Sequence, residues 1–368
     1  MRGFFRGVLR AQRLWVQGGG PGWGAGYCHW RPIHSCSALV YRRHGPDLDQ
    51  LRMEQWDFQA IGPHSVRLQM LAAPVNPADI NMMQGTYPIL PEFPAVGGNE
   101  GVGEVVEVGD EVTSVRVGDW VLPVDAGFGT WRTEVVCEAT ELLRAPRDVS
   151  LLGAATIAVN PFTAYRMLHD FQQLRPGDTV IQNGANSAVG QAVIQIAAAL
   201  GLRTINIVRN RPNYEGLSAD LKAMGADYVI TEEELHRTGL GLILQEVPKP
   251  RLGLNCVGGL SGGLVLSHLD SGGTLVTYGG MAKKPLQIPA KSLIFKNISL
   301  KGFWMTQWKR NNRKDLHLLQ SVVDALCAML RSGQLTPPRC VLVPFQQYAQ
   351  AIQATVQPHQ PKQVLLMQ

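Results

Sequence analysis

Apolar and polar positions follow two different patterns along this chain, and the change falls near Leu151. Before it, SALVYRRHG (37–45) and SVRLQMLAAPVN (65–76) read as strands. VGEVVEVGDEVTSVRVGDWVLP (102–123) repeats valine at short intervals and is broken by Gly103, Gly109 and Gly118. GTWRTEVVC (129–137) follows as one more strand. Short antiparallel strands with tight turns predict a small barrel.

Beyond Leu151 the period lengthens. AATIAVNPFTAYRMLHDF (154–171) predicts a helix, and Pro176-Gly177-Asp178 predicts a turn. TVIQN (179–183) is a buried strand, followed by a helix over AVGQAVIQIAAALG (188–201). Val189, Val193, Ile196, Ala197 and Leu200 share one face of that helix, and Gly201 suits its C-terminal cap. Strands RTINIV, DYVIT, LGLNCVG and TLVTYGG then alternate with helices near LSADLKAMGA and GLVLSHLD. Such alternation predicts a doubly wound parallel sheet. After ISLKGFW, the helix DLHLLQSVVDALCAMLRSG leads to a last strand, KQVLLM. This return should pack on the first domain and leave a ligand cleft between the two.

Composition narrows the class. The 368 residues are 45% hydrophobic and 17% charged, enough for two folded domains. No apolar run is long enough for a membrane-spanning helix. The six cysteines are scattered without a C-x-x-C pair, so free thiols are expected and zinc is not. The net charge of +5 comes from one end: Arg2, Arg6, Arg10, Arg13 and Arg31 precede the first acid, Asp47. Interleaved with Phe4, Phe5, Leu9, Leu14 and Trp15, they predict a basic amphipathic targeting segment over residues 1–36. Without it the excess charge is gone, and no nucleic-acid partner is implied.

Chemistry enters at NGANSAVGQ (183–191). Small residues Ala185, Ser187 and Ala188 at a strand-to-helix turn let backbone N–H groups approach a pyrophosphate. The loop is not a strict G-x-G-x-x-G. About 20 residues on, the strand INIV ends in Arg209-Asn210-Arg211. A carboxylate there would bind the ribose 2′-OH of NAD. Arginine instead offers a forked, positive donor to a 2′-phosphate, so NADPH is the expected cofactor.

Taken with GTYPILPEFPAVGGNEGVGEV, GTWRTE, VNPFTAYRML, LNCVGG, VTYGGMAKKP and LKGFWMTQWKR, the chain from about Ser37 onward resembles the zinc-free medium-chain dehydrogenase/reductases that reduce trans-2-enoyl thioesters in mitochondrial fatty acid synthesis. Ala188 departs from the glycine usual in that family. The resemblance implies a GroES-like β-barrel catalytic domain (37–162, completed by 304–368) and an NADP-binding Rossmann domain (163–303). It implies Tyr87 as the catalytic donor. Implied cofactor contacts are Asn160; Asn186, Ser187, Ala188 and Val189; Arg209, Asn210 and Arg211; Tyr278, Gly279, Gly280 and Met281; Phe303, Trp304, Met305 and Thr306; and Lys362. It further implies a substrate carried on coenzyme A or acyl carrier protein, a homodimer and a matrix location. No metal is expected: Gly98-Asn99-Glu100 stands where zinc-dependent relatives carry G-H-E, and NPADIN (76–81) lacks a cysteine ligand.

One expectation goes beyond the family. Lys309, Arg310, Arg313 and Lys314 follow the aromatics of GFWMTQW and form a basic cluster suited to attract an anionic carrier. Two other functions compete with enoyl reduction: quinone reduction by NADPH, and a non-enzymatic cofactor-binding regulator. A retained donor at Tyr87 argues against the second.

Overall fold

The computed structural model of the chain describes residues 34–58, 60–357 and 360–367. The five arginines of the expected targeting segment lie outside the described residues. Strand β1 (His34–Tyr41) nevertheless begins inside the 1–36 segment, and Cys36 is buried opposite Trp56.

The first section is built from β1, β2 (Arg52–Phe58), β3 (Ser65–Pro74), β4 (Ala95–Val96), β5 (Val102–Val108), β6 (Trp120–Pro123), β7 (Glu134–Glu138) and β8 (Leu142–Ala145). β1 pairs antiparallel with β2 and β4, while β3 pairs with both β5 and β7. β2 escaped the sequence reading because RMEQWDF buries none of its side chains fully. Inside lie Leu39, Val66, Leu68, Met70, Val105 and Trp131. Trp131 explains the glycine pair before Asn99: a Cβ on Gly97 would stand 2.4 Å from its ring.

The second section is a six-stranded sheet of β9 (Thr179–Asn183), β10 (Arg203–Val208), β11 (Tyr228–Thr231), β12 (Leu252–Asn255), β13 (Thr274–Thr277) and β14 (Ser299–Gly302). Its order is β11-β10-β9-β12-β13-β14, and every pairing is parallel. The order reverses beside β9, so the crevice at the carboxyl ends of β9 and β12 is the natural ligand position. Helix Ala188–Ala199 follows β9, and its stripe packs into the core shared by the two sheets. Gly201 takes φ 69°, the left-handed cap expected of it. Finally β15 (Cys340–Pro344) and β16 (Lys362–Leu366) return to the first section, where β16 pairs antiparallel with β3.

One difference from the sequence reading shapes the site. The single helix expected over 154–171 is two, Leu151–Thr156 and Asn160–Asp170, with a break at residues 157–159. Pro161 cannot donate a helical hydrogen bond and disfavours helical backbone before it. The break exposes main-chain groups that side chains then take up. Val159 N–H donates to Glu100 Oε1 at 2.8 Å, and Ala158 C=O accepts from Lys309 Nζ at 2.9 Å.

Candidate active site

A cavity of about 180 Å³ opens between the two sections. Tyr87 comes from the loop after helix Pro77–Met83, and Trp304 from the turn between β14 and helix Met305–Asn311. The Trp304 indole N–H donates to the Tyr87 hydroxyl oxygen at 2.8 Å, and the rings meet edge to face at 5.8 Å. That bond occupies a lone pair on the phenol, so its own O–H is free to donate elsewhere. Asn160, Val189, Tyr278, Phe303, Met305 and Thr306 complete most of the predicted lining. The Tyr278 hydroxyl is buried without a hydrogen-bond partner, and burial holds it well above the ordinary tyrosine pKa. It remains a neutral donor.

Beneath this lining lies a polar network the sequence reading did not assemble. Asn76 caps helix Pro77–Met83, and Asp79 Oδ2 accepts its main-chain N–H at 2.7 Å. The other Asp79 oxygen accepts from Asn99 Nδ2 at 2.6 Å. Asn76 Nδ2 donates to Glu100 Oε2 at 2.9 Å, while its Oδ1 accepts from Lys362 Nζ at 2.5 Å and Asn160 Nδ2 at 3.3 Å. Asp79 and Glu100 are buried. Burial pushes the Asp79 carboxyl up to about 7 against its hydrogen bonds and Lys362, and raises Glu100 as well. Lys362 is lowered by burial, opposed by Glu100 and Asp79.

Lys309 belongs to this interior and not to an outer cluster. Its ammonium lies 4.8 Å from the Phe162 ring centroid, and burial lowers its pKa to about 8. Arg310 is held by both oxygens of Asp125 at 2.9 and 3.1 Å, and Arg313 lies 3.7 Å from Glu141. Lys309 therefore leaves the expected basic patch, while Arg310 and Arg313 stay at the surface in ion pairs with Asp125 and Glu141. The helix Met305–Asn311 turns Lys309 inward, which the bare run WKRNNRKD could not reveal.

The groove toward β10 is built differently. Ser187 caps helix Ala188–Ala199 by accepting the Gly190 N–H at 3.1 Å. Gly190 itself is required by closeness: a Cβ there would stand 2.5 Å from Ala185 C=O. Asn186 C=O is held by Gln191 at 2.9 Å. Across the groove, a Cβ on Gly279 would meet Cys256 C=O at 3.0 Å, whereas Gly280 is open and Met281 exposed. At the end of β10, Asn210 donates to Glu233 at 2.9 Å. Arg211 Nε is buried with no hydrogen-bond partner, and its pKa is lowered by burial and by the adjacent Arg209. Two neighbouring cations with an orphaned donor fit a dianionic phosphate, the group that distinguishes NADP from NAD.

Eight of the predicted residues thus share one cavity: Tyr87, Asn160, Val189, Tyr278, Phe303, Trp304, Met305 and Thr306. Of the others, Asn186, Ser187 and Ala188 follow β9, Arg209, Asn210 and Arg211 follow β10, and Gly279, Gly280 and Met281 follow β13, whereas the Lys362 ammonium is bound to Asn76 and does not line the cavity. The sequence reading missed Asn76, Asp79, Thr163 and Lys309 as parts of the site. The available signal was N-P-A-D at 76–79, a helix-start pattern with an acid placed to reach back to its cap. A zinc ion does not fit here. Zinc takes thiolate, imidazole or carboxylate ligands, whereas Asn76, Asn99 and Asn160 supply carboxamides. Asn76 is bound on both sides, and Gly127 N–H donates to Asn99 Oδ1 at 2.6 Å.

A parallel-sheet nucleotide section joined to an antiparallel β section, with a cavity between them, defines a dehydrogenase/reductase of the medium-chain type. Family models agree: residues 62–147 match "Alcohol dehydrogenase GroES-like domain" and residues 188–321 match "Zinc-binding dehydrogenase". The chain is 54% identical over 331 residues to mitochondrial enoyl-[acyl-carrier-protein] reductase of Homo sapiens, spanning 90% of this chain and 88% of that one. Identity to the Arabidopsis thaliana reductase of the same name is 43%, over 89% and 87% of the two chains. Among solved structures, a mutant form of enoyl thioester reductase from Candida tropicalis superposes with a TM-score of 0.83 at 33% identity, over 91% of this chain and all of that one. The Etr1p/NADP/crotonyl-CoA complex gives the same values. The chain belongs to the mitochondrial enoyl-[acyl-carrier-protein] reductase family.

Proposed function

We infer that this protein reduces trans-2-enoyl thioesters to saturated acyl thioesters with NADPH. The observation that carries the reading is the Tyr87–Trp304 pair in a cavity also lined by Val189 of the helix after β9, with Arg209 and Arg211 at the end of the neighbouring strand β10. Bound NADPH supplies the hydride for the β-carbon. The groove suits the cofactor: Asn186, Ser187, Ala188 and Val189 face its pyrophosphate, and Tyr278, Gly279, Gly280 and Met281 lie opposite. Arg209 and Arg211 hold the 2′-phosphate, with Asn210 between them. Asn160, Phe303, Met305 and Thr306 flank the nicotinamide.

As the β-carbon is reduced, negative charge gathers on the thioester carbonyl oxygen. Tyr87 donates its O–H there and lowers the cost of that charge, and the enolate then takes a proton at its α-carbon, which completes the addition of hydride and proton across the double bond. Trp304, bonded to the same phenol, keeps the hydroxyl aimed into the cavity. Apolar neighbours Val189, Phe303 and Met305 exclude water and strengthen both interactions.

The acyl group arrives on coenzyme A or on an acyl carrier protein, in the mitochondrial matrix. A homodimer fits the exposed β14 edge, whose unpaired backbone is a template for a second strand. Exposed Leu300 lies in β14, and exposed Ile294 and Phe295 end the helix just before it. A charge placed by Phe295→Asp should shift the protein to monomer in analytical ultracentrifugation.

The deciding assay gives the purified protein trans-2-enoyl-CoA or a quinone, each with NADPH or NADH. Turnover of the enoyl thioester with a strong preference for NADPH is expected. Faster quinone reduction, or equal use of both cofactors, refutes the assignment.

A further inference from the structure

The side-chain amide of Asn76 could sit either way round, but its neighbours permit one sense. Lys362 has only hydrogens to give and lies 2.5 Å from Oδ1. Glu100 Oε2, 2.9 Å from Nδ2, accepts. The other Glu100 oxygen already accepts the Val159 N–H at 2.8 Å. Turning the amide over would set ammonium against NH₂ and carboxylate against carbonyl oxygen. Asn160 meets the same Oδ1 at 3.3 Å and so must present its own NH₂ to it. Its carbonyl oxygen is left for the cavity that Asn160 lines.

We propose that Lys362 and Glu100, acting through Asn76, fix Asn160 as a hydrogen-bond acceptor that selects the NH₂ of the nicotinamide carboxamide. Lys362, Glu100 and Asn76 are then positioning residues, and of these four side chains Asn160 is the one that meets the nicotinamide. The Val159 bond adds to this, because the same carboxylate that orients Asn76 also holds the main chain one residue before Asn160. The proposal rests on the reading that Asn160 flanks the nicotinamide.

The test measures Kd by calorimetry for NADP⁺ and for its 3-acetylpyridine analogue, which keeps the carbonyl but has no NH₂. The wild-type protein should prefer the carboxamide by about tenfold, the worth of one hydrogen bond. Asn160→Ala should abolish the preference. Lys362→Met frees both amides to turn, and the preference should fall to about twofold or less. Lys362→Arg, which still only donates, should restore it. Because Lys362→Met leaves buried Glu100 with Lys309 in place of two cations, the double variant Glu100→Gln, Lys362→Met is measured beside it. Melting curves confirm folding, and if the single variant is unfolded the double variant decides. A preference that survives in the folded Lys362→Met or double variant overturns the relay. So does an equal loss of affinity for both cofactors, which marks a purely structural lysine. A wild-type protein without preference, or Asn160→Ala that keeps it, instead removes Asn160 from the nicotinamide and takes the proposal down with that placement.

Discussion

The two ends of the cofactor groove are built on opposite principles. At the cavity end, most polar side chains are bound to other side chains: Trp304 to Tyr87, Asn76 to Glu100 and Lys362, Asn99 to Asp79. At the end of β10, Arg209 and Arg211 repel each other, and Arg211 Nε has no partner. The first arrangement fixes directions before any ligand arrives, as catalysis requires. The second leaves charge unsatisfied, as the proposed phosphate site requires. Orientation is spent at one end and affinity gathered at the other.

The sharpest way to break this contrast is Tyr87→Phe. Loss of the donor should lower kcat by roughly 10²–10⁴-fold with NADPH affinity unchanged in a fluorescence titration. A matching fall in affinity would place Tyr87 in cofactor binding instead. Next in size is the buried carboxyl. Asp79 holds its proton to about pH 7 when folded, against an ordinary pKa of about 3.9. A folded pKa raised in this way gives stability that is whole below about pH 4 and is lost as pH climbs through 7. Asp79→Asn removes that titration. Between about pH 4 and pH 8 the unfolding free energy of the variant should gain on wild type by up to on the order of 4 kcal/mol. Urea melts at the two pH values measure it, and parallel curves would mean that Asp79 is ionised throughout.

At the phosphate end, Arg209→Ala and Arg211→Ala should each raise the Kd of NADPH by about ten- to a hundredfold. The Kd of NADH should hardly move. Similar losses for both cofactors would shift these arginines from phosphate recognition to general loop structure. The smallest effect belongs to the surface. Arg313→Ala breaks an exposed pair with Glu141 and should change the unfolding free energy by less than about 1 kcal/mol. A several-fold rise in KM for a carrier-bound substrate in that variant would restore the basic patch as a docking element.

The same contrast governs what could be read from the sequence. Arg209 and Arg211 follow a buried strand at a fixed distance from a glycine-bearing turn, so local order reveals them. The parallel sheet and the Gly201 cap were legible for the same reason, since period and punctuation are local. The Asn76 network draws on residues 76, 79, 99, 100, 160, 309 and 362, brought together only by β16 pairing with β3 and by the helix break before Asn160. Lys309 is the clearest case. Among Arg310, Arg313 and Lys314 it reads as solvated, and only the course of its helix carries it under Phe162. The strands β2 and β15 were missed because their faces are partly exposed and lack a clear alternation.

Lys362 stands 286 residues beyond Asn76 in the chain, yet β16 pairs with β3 and brings the two together. During synthesis, β3 can pair with β5 and β7 early, but its last stretch, Ala72–Pro74, waits for β16. A premature stop near residue 355 would spare nearly every groove residue while depriving Asn76 of its cation and the sheet of an inner strand. Loss of residues 356–368 should therefore damage the sheet and the amide network together.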